Sequence, residues 1–175
     1  MSVDPDAAAA SAIPDPALVV LIGASGSGKS AWAARYRAQE VVSSDQLRGV
    51  VGSGEHDLDA SADAFTLLDQ IVAARARRGL TTVVDTLGLD PDRRRGYVEL
   101  AHRGGLAAVA VPFDTDPAVC RQRNRARGRP VPAPVLDSQL RRMSAVAAQL
   151  TGEGWDVIAR PAAVCETGNP PHATR

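Results

Sequence analysis

The chain alternates between short runs of apolar residues and longer stretches in which apolar positions recur with helical spacing. The short runs are rich in β-branched residues, as buried strands are, and they cover residues 18–22, 41–43, 81–85, 107–113 and 155–159. Helical patterns lie between them, over residues 31–35, 61–78, 91–104, 117–127 and 134–150. This alternation predicts an α/β protein with a parallel sheet of about five strands and helices on both faces.

Turn-forming residues set the limits of these elements. Residues 48–59 hold three glycines and no periodicity, which predicts a loop, and Asp59 or Ser61 is expected to cap the helix that follows. Residues 1–16, rich in Ala, Asp and Pro, predict a flexible leader, and residues 161–175 predict a disordered tail. We therefore expect one domain over residues 17–160.

A glycine-rich stretch joins the first strand to the first helix. It has the spacing Gly, four residues, Gly, Lys and Ser, and it consists of Gly23, Ala24, Ser25, Gly26, Ser27, Gly28, Lys29 and Ser30. Small residues let successive backbone N–H groups surround phosphate oxygens, and the helix N-terminus adds positive potential. In such a P-loop Lys29 reaches the β- and γ-phosphates of ATP, and the Ser30 hydroxyl binds Mg²⁺. The stretch therefore predicts a P-loop NTPase three-layer sandwich.

The composition narrows the class of protein. Hydrophobic residues make up 45% of the chain and the formal net charge is zero, so the surface as a whole does not favour nucleic acid. Lys29 is the only lysine among the 20 basic residues, which indicates a chemical requirement for an amine at that position. Two cysteines, no signal-peptide pattern and no run of membrane-spanning length predict a cytoplasmic protein without a membrane partner.

Three polar residues follow the second and third strands, at the sheet edge where the P-loop also lies. Asp45 could accept the proton of an attacking hydroxyl, and Arg48 could bind a substrate phosphate. The alternative is an Asp that caps a turn and an Arg in solvent. Asp85 could face the outer shell of the Mg²⁺ ion, hold Arg48 or hold a substrate group, and its alternative role is to cap the next turn.

Arginines are concentrated before the last helix. Five occur within nine residues, and they are Arg121, Arg123, Arg125, Arg127 and Arg129. We expect a mobile lid over about residues 121–133 whose arginines close over the ATP phosphates. The alternative is a solvated basic face. A second basic run, Arg93-Arg94-Arg95, could contact a polyanion or form a solvated helix face.

Taken together over residues 18–157, these landmarks resemble the P-loop 5′-hydroxyl polynucleotide kinases, and among them the kinase module of bacterial polynucleotide kinase-phosphatase. The matching motifs are the P-loop with its strand, Val42-Ser43-Ser44-Asp45 with Arg48-Gly49, Thr82-Val83-Val84-Asp85, Val119-Cys120 followed by Arg123-Asn124, and Glu153-Gly154-Trp155 before the last strand. The resemblance implies that Asp45 is the general base and that Arg48 orients the acceptor and its phosphate. It also implies that Arg123 and Arg127 contact the nucleotide.

Departures from the family pattern fall on the acceptor side. The loop after the second strand has Leu58 where the module usually has Gln, and the third strand is followed by Leu87 and Gly88 in place of Thr and Asn. The nucleotide side keeps the pattern. ATP binding is therefore predicted more firmly than a nucleic-acid acceptor.

The preferred hypothesis is an ATP- and Mg²⁺-dependent kinase in which Lys29, Asp45, Arg48 and Arg123 act on the reacting groups. The preferred acceptor is a 5′-OH end of DNA or RNA. A small-molecule or nucleoside kinase of the same fold is the second hypothesis, and an ATP-binding or ATP-hydrolysing switch module without a transfer reaction is the third. The sequence is compatible with an oligomer.

Overall fold

The computed structural model describes residues 13–161. The strands are β1 (Ala17–Ile22), β2 (Val41–Ser43), β3 (Thr82–Asp85), β4 (Ala107–Pro112) and β5 (Val157–Ile158). The helices are α1 (Lys29–Ala33), α2 (Ser44–Val51), α3 (Ser61–Arg77), α4 (Pro91–Arg103), α5 (Pro117–Arg125) and α6 (Ala133–Leu150). Two short 3₁₀ turns, Ala38–Glu40 and Leu58–Ala60, precede β2 and α3.

The five strands form one sheet in the order β2-β3-β1-β4-β5, and all neighbours are parallel. The central strand β1 is buried along its whole length, which explains its continuous apolar sequence. Because parallel neighbours need crossover connections, helices lie between the strands in sequence. The predicted α/β fold with five parallel strands is confirmed.

The core lies on both faces of the sheet, because alternate residues of each strand point to opposite sides. Leu18, Val20 and Ile22 of β1 pack on one face with residues of α3, α4 and α6. Val19 and Leu21 pack on the other face with Trp32 of α1. The molecule therefore has three layers: helices, sheet and helices.

Three expectations about local structure need correction. Residues 48–59 are not all loop, because α2 continues to Val51 and carries both Asp45 and Arg48. The Ser43 hydroxyl accepts a hydrogen bond from the Gln46 amide and starts this helix. Neither Asp59 nor Ser61 caps α3; the Asp57 carboxylate caps the 3₁₀ turn that leads into it. The last strand covers Val157–Ile158, which lie in register with Val109 and Ala110 of β4.

The ends of the chain bear on the predicted domain limits. Most of the expected leader and tail, residues 1–12 and 162–175, lies outside the described residues. Within the described part, Ile13 packs against the core and the Asp15 carboxylate accepts a hydrogen bond from Thr81. Over residues 13–161, no helix is long and apolar enough to cross a membrane.

Candidate active site

The parallel register brings three chain segments to one edge of the sheet. Asp85 at the end of β3 is in register with Leu21 of β1 and with Ser43 of β2. The P-loop begins two residues after Leu21, and Asp45 lies in the first turn of α2, two residues after Ser43. The carboxyl edge of this sheet thus collects the groups that the sequence predicted to act together.

The P-loop has a backbone shaped by glycine. Gly26 and Gly28 have φ angles of 82° and 103°, in the left-handed region that glycine adopts without strain. A Cβ atom on Gly26 would also lie 2.7 Å from the backbone oxygen of Cys120. Within the described chain, the backbone N–H groups of Gly26, Gly28, Lys29 and Ser30 donate to no protein acceptor. They are available to an anion at the start of α1.

Neighbouring elements hold this loop in place. The Thr115 hydroxyl donates to the Ser27 carbonyl at 2.8 Å, and Arg123 donates to the Gly26 carbonyl at 3.3 Å. The Ser25 amide donates to the side-chain oxygen of the buried Gln139 at 2.9 Å. Thr115 and Gln139 were not predicted from the sequence, since neither belongs to a recognisable motif and both reach the loop from more than 80 residues away.

Lys29 is buried against its own loop. Its ammonium group donates to the carbonyls of Gly23 and Ala24, at 2.8 and 3.0 Å. Burial lowers the pKa of Lys29 to about 8, and the carboxylates of Asp85 and Asp45 oppose that shift. A phosphate group beside Lys29 would restore the charged form for the same electrostatic reason.

Ser30 and Asp85 place two side-chain oxygens that could bind a metal ion next to Lys29. The Ser30 hydroxyl donates to the Asp85 carboxylate at 2.9 Å. Burial raises the pKa of Asp85, while Ser30 and Lys29 counteract the shift. Mg²⁺ binds few protein oxygens together with substrate phosphates, so this pair fits such an ion. In residues 13–161, no group of three or more His, Cys, Asp or Glu side chains could hold a metal ion by itself.

Asp45 and Arg48 form an ion pair on α2. The guanidinium donates to the Asp45 carboxylate at 2.6 Å and to the Glu55 carbonyl at 2.8 Å. The Asp45 side chain remains 63% exposed, whereas that of Arg48 is 14% exposed. Arg48 therefore ties α2 to the following loop and does not hold Asp85, which contacts Ser30 instead.

The P-loop separates two cavities. The first, of about 890 Å³, is lined by loop residues 26–30, by Arg123 and Arg127, and by apolar residues of α6. The second, of about 790 Å³, contains Asp45, Arg48 and Asp85. Lys29, Ser30 and Arg127 line both. Two substrates bound on either side would thus meet at the same short segment of the P-loop.

The arginines of the predicted lid differ in their surroundings. Arg123 lines the first cavity, Arg129 lines the second and Arg127 lines both, whereas Arg121 pairs with Asp137 at 3.0 Å. The buried Asn124 side chain bonds both the amide and the carbonyl of Val131, which closes the loop between α5 and α6. The predicted motion of this lid stays a prediction.

One arginine was misjudged from the sequence. Arg94 is fully buried, and its guanidinium bonds the Glu153 carboxylate at 2.6 and 2.9 Å, the Gln149 side chain at 2.8 Å and the Gly88 carbonyl at 2.8 Å. Burial favours the neutral form of Glu153, but hydrogen bonds from Arg94 and Trp155 outweigh it and lower the pKa of this carboxyl. The expectation of a solvated or polyanion-contacting face is wrong for Arg94.

The positions that depart from the resembled kinases have identifiable surroundings. Leu58, Leu87 and Gly88 all line the second cavity. The Leu87 carbonyl accepts a hydrogen bond from the Gly23 amide at 3.0 Å, so this segment also holds the first residue of the P-loop.

Fold, loop and paired cavities define a P-loop nucleotide-binding protein of the kinase-like type. A family model described as an AAA domain matches residues 18–150, and the chain belongs to that family. It is also similar to a solved structure from the molecular and structural characterization of the PezAT chromosomal toxin-antitoxin system of the human pathogen Streptococcus pneumoniae. The two are 16% identical with a TM-score of 0.44, over 62% of this chain and half of that one. No curated protein matches the chain.

Proposed function

We propose that the protein is an ATP-dependent kinase that transfers the γ-phosphoryl group to a hydroxyl acceptor. The observation that carries this proposal is that Lys29 and Ser30 line two separate cavities, one of which contains the exposed carboxylate of Asp45. A nucleotide switch needs one such cavity, whereas a kinase needs a donor site and an acceptor site that meet at the phosphates.

The donor half would be the first cavity. Free backbone N–H groups of the P-loop would bind the β- and γ-phosphates, with Lys29 and Arg123 neutralising charge on the transferred group. Arg127 lines both cavities and is placed to contact that group as well. Ser30, with Asp85 behind it, would hold Mg²⁺, which reduces the charge on the phosphate oxygens when bound.

The acceptor half would be the second cavity. Asp45 takes the proton of the acceptor hydroxyl while the hydroxyl oxygen of the acceptor forms a bond to the γ-phosphorus. The bond from that phosphorus to the bridging oxygen breaks, and ADP leaves with the electron pair. Arg48 fixes the Asp45 carboxylate through their 2.6 Å contact.

Two classes of acceptor are consistent with this arrangement. The resemblance to polynucleotide kinases supports a 5′-OH end of DNA or RNA, for which Arg48 would contact the neighbouring phosphate. The apolar side chains that line the second cavity support a small hydroxyl compound instead.

The test uses ATP labelled at the γ-phosphate, a 5′-OH oligonucleotide and a panel of small alcohols. Asp45→Asn should abolish label transfer with ATP affinity nearly unchanged, because Asp45 lines the second cavity and not the first. Lys29→Ala should weaken both. Asp63→Asn, an exposed carboxylate of α3 that lines neither cavity, is the control. Full activity in Asp45→Asn would refute the assignment of the base, and hydrolysis indifferent to every acceptor would indicate a switch module.

A further inference from the structure

The second cavity has an apolar wall that the protein leaves partly open to solvent. Five aliphatic or aromatic residues line it without being buried: Leu58, Phe65, Leu87, Val131 and Val135. Leu58 is 72% exposed and Val135 is 48% exposed. Exposed apolar residues that gather around one concave site, with a few polar groups among them, are typical of ligand-binding surfaces.

Four of the six arginines that line the same cavity are occupied within the protein, and of the six only the side chains of Arg127 and Arg129 have no partner among the described residues. Arg48 binds Asp45 and the Glu55 carbonyl, and Arg142 binds the Leu89 carbonyl at 3.0 Å. Arg93 binds both carboxylate oxygens of Asp69 at 2.8 Å. Binding of a polynucleotide backbone depends on cationic side chains that are free to replace counterions. This wall therefore offers less to a chain of phosphates than its number of arginines suggests.

Arg93 has a second effect on the wall. Its guanidinium lies 4.5 Å from the centre of the Phe65 ring, and Asp69 fixes its position. The guanidinium thus covers one face of the Phe65 ring and holds the ring in place at the cavity. The loop between α5 and α6 supplies Val131, and the side chain of Asn124 fixes its backbone. Two parts of the apolar wall, the Phe65 ring and the Val131 backbone, are thus fixed in place, and the cavity of about 790 Å³ has the size of a site for a small molecule.

We infer that the acceptor is a compact amphipathic molecule whose hydroxyl lies at Asp45 and whose apolar body packs on Phe65, Leu87 and Val135. This inference rests on the proposed function. The acceptor oxygen bonds to the γ-phosphorus, its proton goes to Asp45, and ADP departs as the old phosphorus–oxygen bond breaks. An oligonucleotide end, whose sugar and phosphates are polar, would leave the apolar wall without a partner.

Phenyl β-D-glucopyranoside and glucose test the inference, since they share hydroxyl groups and differ in one apolar ring. We expect label transfer from ATP to the phenyl compound with kcat/KM at least about tenfold above that for glucose. The double variant Leu58→Asn/Val135→Asn should lower this ratio severalfold. Leu80→Asn, exposed but outside both cavities, should leave it unchanged. Equal transfer to both sugars, or a higher kcat/KM for a 5′-OH dodecamer of DNA, would overturn the inference.

A binding measurement separates this inference from the kinase assignment. Methyl NMR spectra are recorded with Mg²⁺ and a non-hydrolysable ATP analogue while each sugar is titrated. The methyl signals of Leu87, Val131 and Val135 should shift with the phenyl compound, and that of Leu80 should not. Such shifts, together with ATP hydrolysis that is indifferent to the sugars, the alcohols and the oligonucleotide, would refute the kinase and keep the apolar site. Transfer to DNA ends without these shifts would refute the site and keep the kinase.

Discussion

Gly88, in the segment after β3, tests how tightly this segment packs against the end of β1. It has a φ of 62°, and a Cβ atom there would lie 2.7 Å from the Leu21 carbonyl oxygen and 3.0 Å from Ile22. Both neighbours belong to the fully buried central strand, so neither can move aside easily. Gly79 has nearly the same φ, 65°, but a Cβ atom there would meet nothing within 4 Å. An alanine at Gly79 would therefore experience backbone strain alone, whereas an alanine at Gly88 would experience both backbone strain and crowding.

The magnitudes follow from these two terms. Alanine in the left-handed region costs roughly 1–2 kcal/mol at either position. Crowding against an immobile backbone adds about 1–3 kcal/mol at Gly88 alone. Gly88→Ala should therefore reduce the free energy of unfolding by about 1–3 kcal/mol more than Gly79→Ala does. With a urea slope of roughly 2 kcal/mol/M, the midpoint should fall by a further 0.5–1.5 M.

The assay is urea unfolding of the two variants and the natural chain, followed by circular dichroism and by tryptophan fluorescence. Coincident transitions from both probes would establish that a two-state treatment applies. Equal midpoints for Gly88→Ala and Gly79→Ala would refute the reasoning, because they would mean that the end of β1 yields to a methyl group at no cost.

Two further predictions concern buried charges. Arg94→Met should lower the free energy of unfolding by about 3–5 kcal/mol in urea melts, since it leaves the Glu153 carboxylate buried and unpaired, whereas Arg94→Met/Glu153→Leu should recover part of that loss. A double variant less stable than Arg94→Met would contradict this. Between pH 8 and 10.5, folding releases the Lys29 proton that the unfolded chain keeps, so stability should rise with pH across that window, and Lys29→Met should remove that part of the slope in melts at stepped pH.

The sequence was most informative where a local pattern was sufficient. Apolar runs located all five strands, and the helical pattern that begins at residue 91 matches α4, where the Asp90 carboxylate caps the helix by accepting a hydrogen bond from the Asp92 amide at 2.9 Å. The P-loop was recognised because its spacing and its position between strand and helix are both local. The aligned strand ends followed from the parallel order, which brought Asp45 and Asp85 to the same edge as expected.

The features that the sequence did not predict depend on contacts between residues that are far apart in the chain. Arg94 looked like one of three equivalent arginines, but its partner Glu153 lies 59 residues away, and only the packing of α4 beside the end of α6 reveals the pair. The helix α2 was missed because Gly49 and Gly52 disfavour helix locally. Contacts with α3 and the bond from Arg48 to the Glu55 carbonyl stabilise it nevertheless.

The solitary lysine has a practical consequence for anyone who handles this protein. Reagents that modify side-chain amines have a single target residue in the chain, and that residue lies in the P-loop. Its pKa of about 8 keeps a larger share of this amine unprotonated near neutral pH than an ordinary lysine has. Mass spectrometry of acylated protein would then report directly on occupancy of the loop, since a bound triphosphate should shield Lys29 from the reagent.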